Sequence, residues 1–334
     1  INKNINKNIN KNINKNINTN TNIKLGVCKL VKYKLILIIF SIYFYYHRIK
    51  SYKKKYFKNR FKDNGHTDLN FKYHIKKYKE CLKKGKYIEA YNIFIKILEE
   101  NKSKKIFSLN QNSFNHKVFE NKKILIVGGA DKNFQIPDNI EFDQIIFLNH
   151  VHKEIINTIK KTKNYLSLNG SAVERLVTTC VINEHEDINS YMIKTKGDMK
   201  VLEKYFSLLN KNNSCFLLPL GTNNLSYGSP DIGSLIVMSI FRANPKMVWL
   251  TGIDLFTSSG RRKGYISSHQ KTGKSNEFKS SVNLSFSREH CPYSIFLNMK
   301  SLAHDNRLEC DDVLKNVLNK TLFDYAIRLN ELYG

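Results

Sequence analysis

The chain contains no CxxC pair and no Cys/His spacing that would close a tetrahedral zinc site. Its six cysteines (Cys28, Cys81, Cys180, Cys215, Cys291 and Cys310) are scattered and read mostly as buried thiols. If the domain faces an oxidising lumen, a disulfide between some pair stays open, but spacing sets no connectivity. Acidic residues are also short, with 28 Asp and Glu against 55 Lys and Arg and a formal charge of +27. The deficit is local: residues 1–120 hold 28 basic and 7 acidic side chains, leaving 27 and 21 for residues 121–334. The basic signal therefore belongs to the first third. No aromatic stacking platform or nucleic-acid motif accompanies it, so nucleic acid is not an expected partner. An initiating methionine is missing too, so the true start of the chain is not fixed by this sequence.

The residues that are present divide the chain into four stretches. Residues 1–30 open with INKNINKNINKNINKNIN, a four-residue repeat with no helical face and too little apolar mass to bury, which predicts disorder. Residues 31–50 carry LILIIFSIYFYY (35–46), twelve uncharged residues flanked by Lys and Arg. As a helix this run spans roughly 18 Å against a hydrocarbon core of ~30 Å. Snorkelling Lys32 and Lys34 would lengthen it, so it reads as a marginal signal anchor or interfacial segment, and the membrane is an expected partner through residues 31–50. Flanking charges are balanced, eight on each side, and set no orientation. Residues 51–120 form a basic stem in which 73–100 reads as a helical hairpin turning at Gly85, with Ile88, Tyr91, Ile95 and Leu98 at helical spacing. It looks like one tetratricopeptide-type unit without a second copy, best read as a stem packing against the C-terminal domain.

Beyond residue 121 the pattern changes. Apolar runs at 123–127, 144–148, 175–182, 215–220 and 247–250 alternate with helix-like stretches near 197–210, 231–243 and 293–304. Continuous β-rich runs separated by helices predict an α/β domain over 121–334, a Rossmann-like parallel sheet with helices on both faces. The segment 313–332 predicts a C-terminal helix docking on that sheet. In such a sheet ligands bind beyond the carboxyl ends of the strands, which directs attention to three strand ends. KILIVGGADKNF runs into Gly128 and Gly129, without the full GxGxxG. DQIIFLNH ends in Asn149, a residue type that serves equally as a base or ribose ligand and as a turn residue. SPDIGSLIVMSIFRANPKMVWLTGIDLF reads as a helix starting near Pro230 with Gly233 and Ser234 in its first turn, then a strand ending at Gly252 and Asp254. No second acid neighbours Asp254, so a DxD metal site is not expected there. The EHED cluster at 184–187 reads as a solvated turn.

The span from Gly233 to Asp254 resembles the core signature of the bacterial sialyltransferases of glycosyltransferase family 42: a small-residue glycine helix, then a strand ending Gly-Ile-Asp. It is similar, more loosely, to the small sialylmotif of the animal enzymes. VGGADKNF and DQIIFLNH resemble that family's nucleotide loop and its strand ending in Asn, so the resemblance covers roughly residues 121–305. It implies an inverting transferase of a sialic-acid-like sugar from a CMP donor to a glycan acceptor, with no metal and no further cofactor; the 35–46 run adds the expectation of a membrane tether. Localisation would follow, in the Golgi of a eukaryote or the inner membrane of a bacterium. Carried over by residue, Asn149 and the Gly128/Gly129 loop would contact cytidine and ribose, and Gly233 would lie against the donor. Tyr265 would hydrogen-bond the departing phosphate, and His290 would be the general base. Three positions depart from the pattern: Gly129 where the family has Asn, Ile232 where it has Ser, and Phe256 where it has the first of two tyrosines. Arg261 and Arg262 would then supply the missing support to the phosphate. His290 precedes Pro292 at a helix start, where the dipole favours a neutral imidazole, and His269 is its competitor. Two alternatives stay open: the same fold with another nucleotide-sugar donor, and a non-catalytic, basic, membrane-bound binding protein.

Overall fold

Pairing of the apolar runs gives the computed structural model its frame, a seven-stranded sheet in which every pair is parallel. The structure describes residues 69–100, 116–130, 134–159, 162–168, 172–173, 176, 187–208, 214–218, 231–258, 275–288 and 290–334, all within one compact unit. In chain order the strands are β1 (Lys123–Val127), β2 (Gln144–Leu148), β3 (Lys163–Leu168), β4 (Ser190–Ile193), β5 (Ser214–Leu217), β6 (Met247–Thr251) and β7 (Leu308–Cys310). Their order across the sheet is β5-β4-β3-β2-β1-β6-β7. The chain thus works outward from β1 to β5, then returns to lay β6 on the other side of β1. That reversal puts the topological switch point of the α/β sheet between β1 and β6.

The helices are α1 (Leu69–Lys83), α2 (Tyr87–Glu100), α3 (Lys153–Thr158), α4 (Lys196–Leu208), α5 (Ile232–Arg242), α6 (Ser275–Arg288), α7 (Pro292–Leu302), α8 (Asp312–Leu318) and α9 (Leu322–Tyr333). Alternation along the strands divides their side chains between two covers. Ile124, Ile126, Ile146, Leu148, Tyr165, Val248 and Leu250 join one large core with residues of α1, α2 and α5 to α9. Leu125, Val127, Ile145, Phe147, Leu166 and Tyr191 alternate with them and are equally buried; α4 covers this second face at β4, where Phe206 meets Tyr191 at 4.8 Å.

The hairpin α1–α2 turns through Gly85, whose φ of +73° suits glycine and whose Cα faces the carbonyl of Tyr333 so closely that a Cβ would sit 2.5 Å from it. Tyr78, Leu82, Tyr87, Phe94 and Ile97 are fully or almost fully buried in the main core. The hairpin packs on α6 and α9. The single C-terminal helix expected over 313–332 is instead two. Thr321 caps α9 through a reciprocal box with Asp324, which ends the preceding turn and restarts the helix. The strand expected at 175–182 lies almost wholly outside the described residues; Leu176, the one described there, is helical. Residues 1–68, with the 35–46 run, also lie outside them. Among the described residues no helix is long and apolar enough to cross a membrane.

Candidate functional site

In a parallel sheet, a helix that leads into a strand runs against the strand direction, so its N-terminus opens on the carboxyl edge. α5 leads into β6 and α7 into β7, and the two helices pack on each other. Their N-termini therefore share a rim with the ends of β1, β2 and β6. Gly128, Gly129, Asn149, Gly233, Ser234, Asp254, Phe256 and His290 all belong to that rim. Arg261, Arg262, Tyr265 and His269 lie outside the described residues, as do Glu184, His185 and Glu186.

At the switch point the two backbones touch. Gly128 N–H donates to the Thr251 carbonyl at 2.8 Å and Ala130 N–H to the Gly252 carbonyl at 2.8 Å, so the β1–β6 ladder runs on past both strands. A Cβ at Gly128 would stand 2.2 Å from the Gly252 oxygen. One close approach that this glycine permits is thus to the protein's own chain. Gly252, at φ +65°, is covered in turn by Phe134, whose ring edge would lie 2.7 Å from an added Cβ. Phe134 meets His152 edge-on at 4.8 Å, and His152 meets His150 at 4.9 Å. Sequence reasoning misses this aromatic group beside Asn149, because HVH after a strand carries no spacing signal.

Asn149 itself is buried, takes φ +63°, and donates its N–H to the Ser167 carbonyl at 2.7 Å. Left-handed backbone is tolerated by asparagine more readily than by other side chains, so the turn alone accounts for the residue type. The first turn of α5 begins one residue later than Asp231, which caps it by accepting from Ser234 N–H at 3.1 Å and from the Ser234 hydroxyl. A Cβ on Gly233 would come 3.1 Å from the Asp231 carboxylate and 3.4 Å from Leu148. Gly233 therefore lets α5 sit close over β2. The positive end of the helix already faces a carboxylate, which lowers its attraction for a phosphate.

After β6 the chain makes a tight turn built on Asp254. This buried carboxylate accepts from Phe256 N–H and Ser258 N–H, both at 3.1 Å, and from the Ser258 hydroxyl. Asp254 thus organises its own loop. Leu255 and Phe256 follow at φ +48° and +68°, a conformation costing about 1 kcal/mol or more for each side chain with a Cβ. Phe256 packs edge-on against Phe286 at 4.8 Å, partly buried at the margin of the core. One further carboxylate braces the end of β6 from the neighbouring strand: Asp311, just after β7 and buried at the cap of α8, accepts from Thr251 Oγ1 at 2.9 Å, Gly252 N–H at 2.8 Å and Leu314 N–H at 2.9 Å. His290 is half-buried between α6 and α7, its backbone N–H donating to the Ser285 carbonyl at 3.1 Å. The neighbouring Cys291 is fully buried against the Tyr78 hydroxyl at 3.0 Å, and burial pushes its thiol pKa up. Among the described cysteines none forms a disulfide, and burial raises Cys215 to about 12 and Cys310 to about 11.

The arrangement defines an α/β protein of Rossmann-like type with its topological switch point between β1 and β6. No family model, curated protein or solved structure matches the chain.

Proposed function

We propose that the chain is a membrane-tethered glycosyltransferase that moves a sialic-acid-like sugar from a CMP donor to a glycan hydroxyl with inversion. The observation that carries this reading is the common rim: Asn149, the first turn of α5, the Asp254 turn and His290 come from four separate stretches of sequence and open on one edge of a parallel sheet. Nucleotides bind along that edge in open α/β sheets. In the proposed reaction the acceptor hydroxyl attacks the anomeric carbon, forming a new glycosidic C–O bond as the bond to the CMP phosphate breaks. The hydroxyl proton passes to His290, and the bonding pair leaves with the phosphate. Tyr265, Arg261 and Arg262 stabilise the charge gathering on that phosphate. Because Asp231 occupies the cap of α5, the two arginines carry more of this load than the helix end does. The tether is the 35–46 run.

A panel of CMP-, UDP- and GDP-sugars, assayed on the full chain with and without EDTA, tests the reading. Consumption of a CMP-linked acidic sugar, unchanged by EDTA, is expected. Turnover of a UDP- or GDP-sugar instead would keep the fold and change the donor, an outcome that Phe256 favours because its ring is committed to Phe286. Absence of transfer from every donor would leave the non-catalytic alternative.

A further inference from the structure

The first arm of the hairpin has two unlike faces. Tyr78, Cys81 and Leu82 of α1 are buried in the main core, where the helix packs on α2 and α6. Lys76, Lys77, Lys83 and Lys84 are exposed, and Lys79 is half-buried beside them. Residues three, four and seven apart share one side of a helix, so Lys76, Lys79 and Lys83 form a stripe along α1, with Lys77 on its flank and Lys84 in the turn that follows. The sequence from 69 to 88 holds seven lysines and one acidic residue, Glu80. Among the described ion pairs, Lys86 meets Glu89 at 2.7 Å, but none includes Lys76, Lys77, Lys83 or Lys84. Like charges at these spacings repel and weaken a helix, so core packing has to outweigh them. Tyr73, three residues before Lys76 and four before Lys77, lies on the same side and is 58% exposed, the most exposed of the described large apolar side chains.

We infer that this face of α1 is a docking surface for a membrane that carries anionic lipid. Its charge has the right sign and acts jointly: Lys76 and Lys83 stand about 10 Å apart along the helix axis, close to the Debye length of ~8 Å at physiological salt. A planar array of headgroups meets such a stripe along its whole length. The exposed Tyr73 suits the headgroup level, where a phenol keeps its hydroxyl in water while its ring leaves it. Nucleic acid is the weaker fit, because one tyrosine at the end of a helix makes no stacking platform. The apolar side of α1 is committed to the core, so contact is electrostatic adsorption, sensitive to salt, rather than burial of a helix in the interface. It depends neither on the transferase reading nor on the 35–46 run as a tether.

Acetylation of individual lysines, followed by mass spectrometry on the full chain, reads this face directly. The chain is mixed with phosphatidylcholine vesicles that contain or lack phosphatidylserine. Lys76, Lys77, Lys83 and Lys84 should react at least about fivefold more slowly on the anionic vesicles, and high salt should return them to the neutral-vesicle rate. Exposed Lys163 and Lys246, at the amino ends of β3 and β6, should keep their rates. Neutral vesicles show what a tether elsewhere in the chain does alone, so the two contributions separate. Replacing Lys76 and Lys83 together by glutamine leaves the buried side of α1 untouched; with circular dichroism unchanged, Lys77 and Lys84 should regain the neutral-vesicle rate. Equal rates on the two kinds of vesicle would overturn the inference, as would equal slowing at Lys163 and Lys246. Slowing by a single-stranded oligonucleotide but not by anionic vesicles would overturn it too, and assign the face to nucleic acid.

Discussion

At residue resolution, the rim separates side chains that serve the backbone from those left for chemistry. Gly128, Asn149, Gly233 and Asp254 each have a structural role as well as a place on the rim: a backbone contact, a left-handed turn, a close helix approach and a self-capped loop. Their residue types were legible in the sequence, but their reasons were not, because a glycine beside a ligand and a glycine beside Gly252 are the same letter. Gly128→Ala should cost about 3 kcal/mol, since a Cβ 2.2 Å from a carbonyl oxygen forces β1 and β6 apart. Urea unfolding measures it, and a loss below 1 kcal/mol would show that the ladder relaxes. His290, half-buried where α6 hands over to α7, is the rim's candidate base. His290→Ala should lower kcat by about 10² to 10⁴ while CMP affinity measured by calorimetry stays within threefold. If His269→Ala produced that loss and His290→Ala did not, the base would be His269.

Among the elements, β1 and β2 are found with the bounds that their apolar runs predict, 123–127 and 144–148, because strands buried on both faces are continuous in hydrophobicity. β3 escaped the sequence reading because KNYLSL is broken by Asn164 and Ser167, polar residues that fit the interior beside Asn189 and the Asn149 turn. β7, three residues long, offers too short a signal to read. The hairpin was recognised as a hairpin, with its turn at Gly85, yet nothing local announces that Tyr78, Tyr87 and Phe94 bury against α6, α7 and α9; such partners lie some 200 residues away. It follows that a chain beginning at residue 101 should not fold: Tyr293, Phe286 and Tyr333 would lose their cover. Compared with residues 69–334, it should show a midpoint lower by more than 10 °C or no cooperative transition in circular dichroism, whereas equal midpoints would make the hairpin dispensable.

For the molecule as a whole, buried hydroxyls and thiols link stability to alkaline pH. Tyr78, Tyr87, Tyr293 and Tyr325 have pKa values raised by burial, as do Cys215 and Cys310. Unfolded thiols and phenols ionise near ~8.5 and ~10. Above those values the unfolded chain releases protons that the folded chain retains, so stability is complete below them and falls as pH rises. The urea midpoint should therefore drop between pH 8 and pH 11. A midpoint that held or rose would mean that relief of lysine repulsion outweighs the buried groups. The packing of α2 on α9 has its own consequence for biosynthesis. A ribosome delivers the hairpin long before α6, α7 and α9, so a nascent chain stalled before residue 275 presents Tyr87 and Phe94 as unshielded surface, open to chaperones, until those helices emerge.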